Sequence, residues 1–156
     1  MFYFPPTLIL RHKRENLKKC TLSGLENRPD FVFLTYPFPK LPNIDQYCIL
    51  TIDAPQLSLN DANRGLLLID GTWRYAQVMS KIIPREGDHI YRSLPSHYKT
   101  AYPRRQLDCP DPKRGLASIE ALYAAYSILE RPTDGLLDRY HWKEEFLSQK
   151  DADQLE

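Results

Sequence analysis

The sequence is poor in cysteine and has no long apolar run. Its three cysteines, Cys20, Cys48 and Cys109, are odd in number and widely spaced. Neither a disulfide framework nor a C-x-x-C metal site is therefore available, and we expect free thiols. The apolar runs are far too short to span a bilayer, and the first residues lack the charged-then-apolar form of a signal peptide. We expect a cytoplasmic protein without a membrane partner.

The sequence also lacks linkers and repeats. No Gly/Ser-rich tract or shift in composition marks a domain boundary, and no segment is repeated. The chain has 156 residues, of which 42% are hydrophobic, and this is enough for a real core and argues against disorder. These features predict a single domain over residues 1–156.

The net charge is nearly zero, but the charges are unevenly distributed. The formal net charge is +1 at pH 7. Segment 11–20 carries five basic residues against one acid, and segment 90–105 carries four basic residues, no acid and three tyrosines. Basic runs are commonly just solvated surface, whereas tyrosines among the charges favour a nucleic-acid partner because bases can stack on them. Both interpretations stay open on composition alone.

The apolar pattern predicts an α/β chain. Four consecutive aliphatics, Leu66 to Ile69, lie between Gly65 and Asp70-Gly71 and indicate a central strand buried on both faces, as in a mostly parallel sheet. Further strands are predicted over residues 7–10, 31–36, 48–52 and 89–91, and helices over residues 74–83, 119–129 and 136–149, with Ser118 as the N-cap of the second helix. The long stretch 96–113 has little periodicity, and loops of that length tend to be functional.

Acids follow two of the predicted strands. Asp70 opens the strand-to-helix turn that ends at Trp73, and Asp53 follows the strand over residues 48–52. If the strands are parallel, both acids lie at the carboxyl edge of the sheet, where α/β proteins bind ligands. Alternatively, each Asp only caps backbone N–H groups of the next turn. His12, a lone histidine after a strand, is either a structural residue or a catalyst.

The chain resembles the DTW-domain family in five blocks that occur in the family's order. The blocks are Leu10-Arg11-His12 with Glu15, Asp70-Gly71-Thr72-Trp73, Leu94-Pro95, Arg104-Arg105-Gln106 and Gly115-Leu116-Ala117-Ser118-Ile119-Glu120-Ala121. The resemblance implies transfer of the 3-amino-3-carboxypropyl group of S-adenosylmethionine (SAM) to a uridine in tRNA, with release of methylthioadenosine. Through a related family that modifies small-subunit rRNA, it also implies a trefoil-knotted, SPOUT-like α/β fold.

The resemblance implies roles for individual residues as well. It places Trp73 and Ala76 near the sulfonium, and gives Asp70 the task of taking the uridine imide proton or stabilising the cation. Leu94, Leu116, Ala117 and Ser118 would contact the adenosine and amino acid moieties, mainly through backbone groups, and we expect Asp53 at the same site. The expected RNA-binding residues are Arg11, His12, Lys13, Arg14, Lys18, Lys19, Arg104 and Arg105, because basic side chains position phosphates.

Two departures from the family pattern matter. The chain has no N-terminal cysteine cluster of the kind that many bacterial members carry, so no metal is expected. Ala117 stands where the family more often has a hydroxyl residue, so that polar contact is either missing or made by Ser118. Three alternatives stay open: rRNA as the target of the same reaction, a knotted SAM-dependent RNA methyltransferase, and a non-catalytic RNA-binding or assembly protein. A monomer is favoured over a dimer.

Overall fold

Five strands form one sheet in which every pairing is parallel. The structure, a computed structural model, describes residues 4–14, 20–37, 40–71, 73–102 and 115–155, and for Trp73 and residues 150–155 it describes the backbone only. The strands are β1 (Thr7–His12), β2 (Phe31–Tyr36), β3 (Tyr47–Leu50), β4 (Gly65–Asp70) and β5 (Ile90–Arg92). Their order across the sheet is β2-β1-β4-β3-β5. The predicted parallel α/β class is confirmed, whereas the trefoil knot and the domain boundaries stay predictions.

Strand β4 is central, as its run of aliphatics predicts. Leu66 and Leu68 pack on one face of the sheet, and Leu67 packs on the other. Because both faces are covered, neither set of side chains faces water, and the alternation typical of a half-exposed strand is absent. The register places Asp70, the last residue of β4, beside Arg11 on β1.

Helices cover both faces of the sheet. Helix α1 (Trp73–Ser80) contributes Met79 to one face, while α2 (Ser118–Ile128) and α3 (Lys143–Leu155) contribute Ile119 and Phe146 to the other. A short 3-10 helix, Leu59–Asp61, precedes β4. Among the described residues, no helix has the length and apolar character that crossing a bilayer requires.

Several predicted helix boundaries were wrong: the last helix ends at Leu155 rather than at residue 149, and three others differ for local reasons. Helix α1 ends at Ser80 rather than at residue 83, because residues 81–83 bond to carbonyls three positions earlier and Pro84 cannot continue the ladder. Residues 136–142 form similar tight turns, so α3 begins only at Lys143. The N-cap of α2 is Ala117, and Ser118 is the first helical residue.

Candidate active site

A cleft opens at the carboxyl ends of β3, β4 and β5. Its volume is about 440 Å³, and it lies between α1 on one side and the start of α2 on the other. Connecting loops and helix starts meet at this edge of a parallel sheet, which is why ligands collect there. The lining residues include Leu50, Thr51, Ile52, Asp53, Ile69, Gly71, Ala76, Gln77, Ser80, Ser93, Leu94, Pro95, Ser96, Tyr98, Gly115, Leu116, Ser118 and Ala121.

Most of the predicted cofactor residues line this cleft. Those that do are Asp53, Ala76, Leu94, Leu116 and Ser118. Ala117 does not, because its side chain is buried and both of its backbone groups are engaged: its N–H donates to Glu120, and its C=O accepts from Ala121. The backbone of Trp73 opens α1.

Asp70 is buried beside the cleft and is held from two sides. Its Oδ1 accepts a hydrogen bond from Ser118 Oγ at 2.7 Å, and its Oδ2 accepts one from Cys20 Sγ at 3.1 Å. The Nε of Arg11 lies 3.5 Å from the same Oδ2. Asp70 is therefore connected to the cleft through Ser118, and its negative charge is fixed in place.

Ser118 was expected to cap α2, and its bond to Asp70 explains why it does not. A side-chain cap needs the hydroxyl to accept from a backbone N–H of the first turn. Here the hydroxyl is one residue further into the helix and donates to Asp70 instead. The residue therefore links the helix start to the end of β4.

Arg11 lies inside the protein, in contrast to the expected RNA contact. Its guanidinium lies between two carboxylates, with Nη1 donating to Glu26 Oε1 at 3.2 Å, and it stacks over the Phe33 ring at 4.6 Å. Burial works to lower its pKa, but Cys20 and the carboxylates of Asp70 and Glu26 raise the pKa above its ordinary value. The guanidinium is therefore paired with the buried Asp70 and the exposed Glu26 rather than presented to a surface phosphate.

The thiol of Cys20 is a proton donor in this cluster. Burial, followed by the nearby charge of Asp70, raises the pKa of Cys20 to about 12. At neutral pH the thiol therefore keeps its proton and can donate to the carboxylate. The expectation of free thiols is confirmed for Cys20 and Cys48, both buried, and Cys109 lies outside the described residues.

The other predicted RNA-binding residues have different positions. Lys13 and Arg14 are exposed. His12 is buried, its ring stacks on Tyr75 at 4.0 Å, and its Nδ1 accepts from the Arg14 N–H, contacts that favour the structural one of its two interpretations. Burial and the neighbouring positive charges lower its pKa. Lys18, Lys19, Arg104 and Arg105 lie outside the described residues.

Several polar residues of the site were not predicted. Thr51 and Ser93 line the cleft directly after β3 and β5, so the rule that ligands bind at carboxyl ends of strands could have identified them. Gln77 follows Ala76 on α1 and carried no separate signal. Cys20 and Glu26 belong to a loop whose contacts with Arg11 and Asp70 depend on the tertiary fold.

The described residues contain no cluster of three or more His, Cys, Asp or Glu side chains that could hold a metal ion. The cleft instead combines apolar walls, hydroxyl and amide side chains, and a carboxylate at Asp53. That mixture is suited to an organic molecule with both apolar and hydrogen-bonding parts.

Comparison with known proteins identifies a similar fold. Neither a family model nor a curated protein matches the sequence. The structure is similar to that of the SAM-dependent rRNA:acp-transferase Tsr3 from Vulcanisaeta distributa, with a TM-score of 0.68 and 24% sequence identity. The match covers 97% of this chain and 82% of that chain. At this identity the likeness shows the fold, and the DTW-domain resemblance stays an interpretation of the sequence motifs.

Proposed function

We propose that this chain transfers the 3-amino-3-carboxypropyl (acp) group of SAM to a uridine base nitrogen in structured RNA. The observation that carries the proposal is the cleft at the carboxyl ends of β3 to β5, which gathers Asp53, Ala76, Leu94, Leu116 and Ser118 from separate parts of the chain. The fold's likeness to an enzyme described as a SAM-dependent rRNA:acp-transferase supports it.

The cleft fits an adenosine-bearing sulfonium compound. Its volume of about 440 Å³ falls within the range of about 300–1,000 Å³ for small-molecule sites. Leu94 and Leu116 offer apolar surface to the adenine ring, and Asp53 offers acceptors to ribose hydroxyls, the role that acids at strand ends take in nucleotide sites. Ala76 on α1 provides a small apolar wall for the methyl group that must not react.

The chemistry requires one bond to form and one to break. SAM supplies an activated carbon next to its sulfonium: the uridine N3 bonds to that carbon, the carbon–sulfur bond breaks, methylthioadenosine leaves with the electron pair, and the N3 proton passes to water. The chain's residues have to hold the acp carbon, rather than the methyl group, in line with N3. They also have to stabilise the positive charge that passes from the sulfur to N3 during transfer.

We assign Asp70 to electrostatic stabilisation of the positive charge that passes from the sulfur to N3 during transfer, rather than to proton removal. Ser118 and Cys20 already donate to its two oxygens, and the Arg11 Nε forms an ion pair with Oδ2 at 3.5 Å. The single Arg11 cation is shared between Asp70 and the exposed Glu26, so it offsets only part of the Asp70 charge. A fixed negative charge lowers the barrier where positive charge grows in the transition state, and here that is the N3 atom as it attacks while still protonated.

RNA phosphates would contact the exposed basic residues that flank this edge. Lys13 and Arg14 follow β1 directly and are exposed, whereas Arg11 and His12 are buried and do not join them. Phosphate contacts position RNA without reading its sequence, and they make affinity fall as salt rises. We propose tRNA as the target and rRNA as the alternative target. The description of the structurally similar Tsr3 as an rRNA:acp-transferase favours rRNA.

The test is an assay with SAM that carries a radiolabel in the carboxyl carbon. The purified chain is incubated separately with bulk tRNA and with small-subunit rRNA. The proposal expects label in RNA, one methylthioadenosine per acp group, and acp-uridine in the nucleoside digest. Release of S-adenosylhomocysteine would assign the chain to the methyltransferases. RNA binding without any SAM binding by calorimetry would indicate a non-catalytic RNA-binding protein.

A further inference from the structure

Glu120 is a fully buried carboxylate in the first turn of α2. Its Oε1 accepts from the N–H of Ala117 at 2.8 Å and from Thr100 Oγ1 at 2.7 Å. Its Oε2 accepts from the N–H of Ala101 at 2.8 Å and from Tyr140 Oη at 2.9 Å. Buried carboxylates are costly unless they are hydrogen-bonded, so this set of donors accounts for the burial of Glu120. A residue that only balances a helix dipole would not need donors from three segments.

Two of those segments form walls of the cleft. Ala117 lies between Leu116 and Ser118, which line one side. Thr100 and Ala101 follow a further wall, residues 93–98, after one intervening residue, and that wall ends with the lining residue Tyr98. Glu120 itself does not line the cleft, so one carboxylate outside it holds both walls.

The Thr100 hydroxyl extends this attachment. Besides donating to Glu120, it accepts from the N–H of Tyr102 at 3.0 Å. At the other end of the segment, the N–H of Tyr98 donates to the Pro95 carbonyl at 3.2 Å. The segment is thus closed by one local bond near its start and anchored by Glu120 at its end.

We infer that Glu120 is a positioning residue that sets the spacing of the two cleft walls. One test of this inference, SAM binding, rests on the proposed function. The other test, hydrogen exchange, rests on the geometry alone. Without the carboxylate, the segment after Tyr98 and the start of α2 have no common acceptor, and the cleft loses its defined width.

The substitution Glu120→Gln tests this because a glutamine cannot satisfy the same donors. The hydroxyls of Thr100 and Tyr140 can turn and accept instead of donating. The N–H groups of Ala101 and Ala117 cannot, and they face opposite oxygens of the carboxylate. Whichever way the amide is oriented, one of these backbone N–H groups faces an NH₂ group and is left without an acceptor.

Tyr140→Phe provides the matched control. It removes one donor from the same carboxylate, but Tyr140 belongs to the turns that precede α3 and does not line the cleft. A general loss of stability would be common to both variants. Only Glu120→Gln is expected to loosen the cleft walls.

The first readout is hydrogen exchange followed by mass spectrometry, which needs no ligand. In Glu120→Gln, amide exchange in peptides covering residues 98–102 or 115–118 should be about tenfold faster, the effect of one lost charge-assisted bond. In Tyr140→Phe these peptides should exchange as in the wild type. Equal exchange rates in Glu120→Gln and wild type would overturn the inference.

The second readout is calorimetric binding of SAM, with the KM for SAM and kcat measured beside it. Glu120→Gln should bind SAM about tenfold more weakly and raise KM, with kcat changed less than about threefold. A merely unstable variant would instead lower apparent kcat with KM unchanged, and that result would also overturn the inference. If the wild type binds no SAM, the proposed function fails, and the exchange measurement still decides the role of Glu120.

Discussion

Asp70 and Glu120 are two buried acids that approach the start of α2 from different sides. Asp70 has a cation, Arg11, at 3.5 Å, and it reaches the cleft through Ser118. The four donors that the structure describes for Glu120 are all neutral and come from separate segments. A carboxylate that bonds a cleft-lining residue is suited to placing charge at the cleft, even though a cation offsets part of that charge, whereas one that gathers donors from separate segments is suited to holding them together. Burial alone therefore does not reveal what an acid does.

The strongest way to separate the two acids is the substitution Asp70→Asn. If Asp70 stabilises the positive charge that N3 acquires in the transition state, kcat of Asp70→Asn should fall by about 10²–10³-fold, the usual cost of losing a preorganised electrostatic group. Binding of SAM should change much less, because the cleft walls are untouched. Steady-state kinetics and calorimetry on the same preparation measure both. A variant that instead lost affinity with kcat intact would give Asp70 the role that we assign to Glu120.

Arg11→Met should cost about 3 kcal/mol of stability, because removing one partner leaves buried charge unpaired. Denaturant unfolding measures the loss, and the exposed Lys13→Met serves as the control, expected to change stability by less than about 0.5 kcal/mol. Exchange at residues 98–102 should stay as in the wild type, since the Glu120 bonds do not involve Arg11. If Arg11→Met unfolds at the same denaturant concentration as the wild type, the ion pair between Arg11 and the buried Asp70 does not stabilise the fold.

The smallest effect is expected from alkaline pH, acting through Cys20. Its folded pKa of about 12 exceeds the ordinary thiol value of roughly 8.5–9. The protonated thiol therefore stabilises the fold fully below about pH 9 and loses that contribution as pH rises towards 12. Between pH 8 and pH 10, the free energy of unfolding should fall by about 1 kcal/mol more in the wild type than in Cys20→Ala. Equal pH slopes in the two proteins would contradict a thiol donor to Asp70.

The sequence predicts cleft residues where they lie at the ends of strands. Asp53 and Asp70 follow strands whose apolar runs are visible in the sequence, and the parallel arrangement brings those ends to one edge. Leu94, Leu116 and Ser118 were predicted through the motif resemblance, and they line the same cleft. Ala117 lies between Leu116 and Ser118 but does not line the cleft, because its side chain is buried and its N–H donates to Glu120.

The basic residues illustrate the limit of charge patterns. Arg11 and Lys13 are two positions apart in one basic run, yet Arg11 is buried and Lys13 is exposed. Arg11 belongs to β1, which is buried on both faces, whereas Lys13 lies one residue beyond the end of that strand. Phe33, Cys20 and Glu26 create a polar and aromatic pocket there that accepts a guanidinium.

The sequence by itself determined the strands, the class of fold and the turn after β4, because side-chain periodicity and turn chemistry are local properties. The tertiary structure alone decided that Arg11 pairs with the buried Asp70. It also decided that Ser118 bonds Asp70 instead of capping its helix, and that Glu120 joins two cleft walls. Each of these contacts connects residues distant in the chain or depends on strand register. Local patterns carry no information about such pairings until the sheet is assembled.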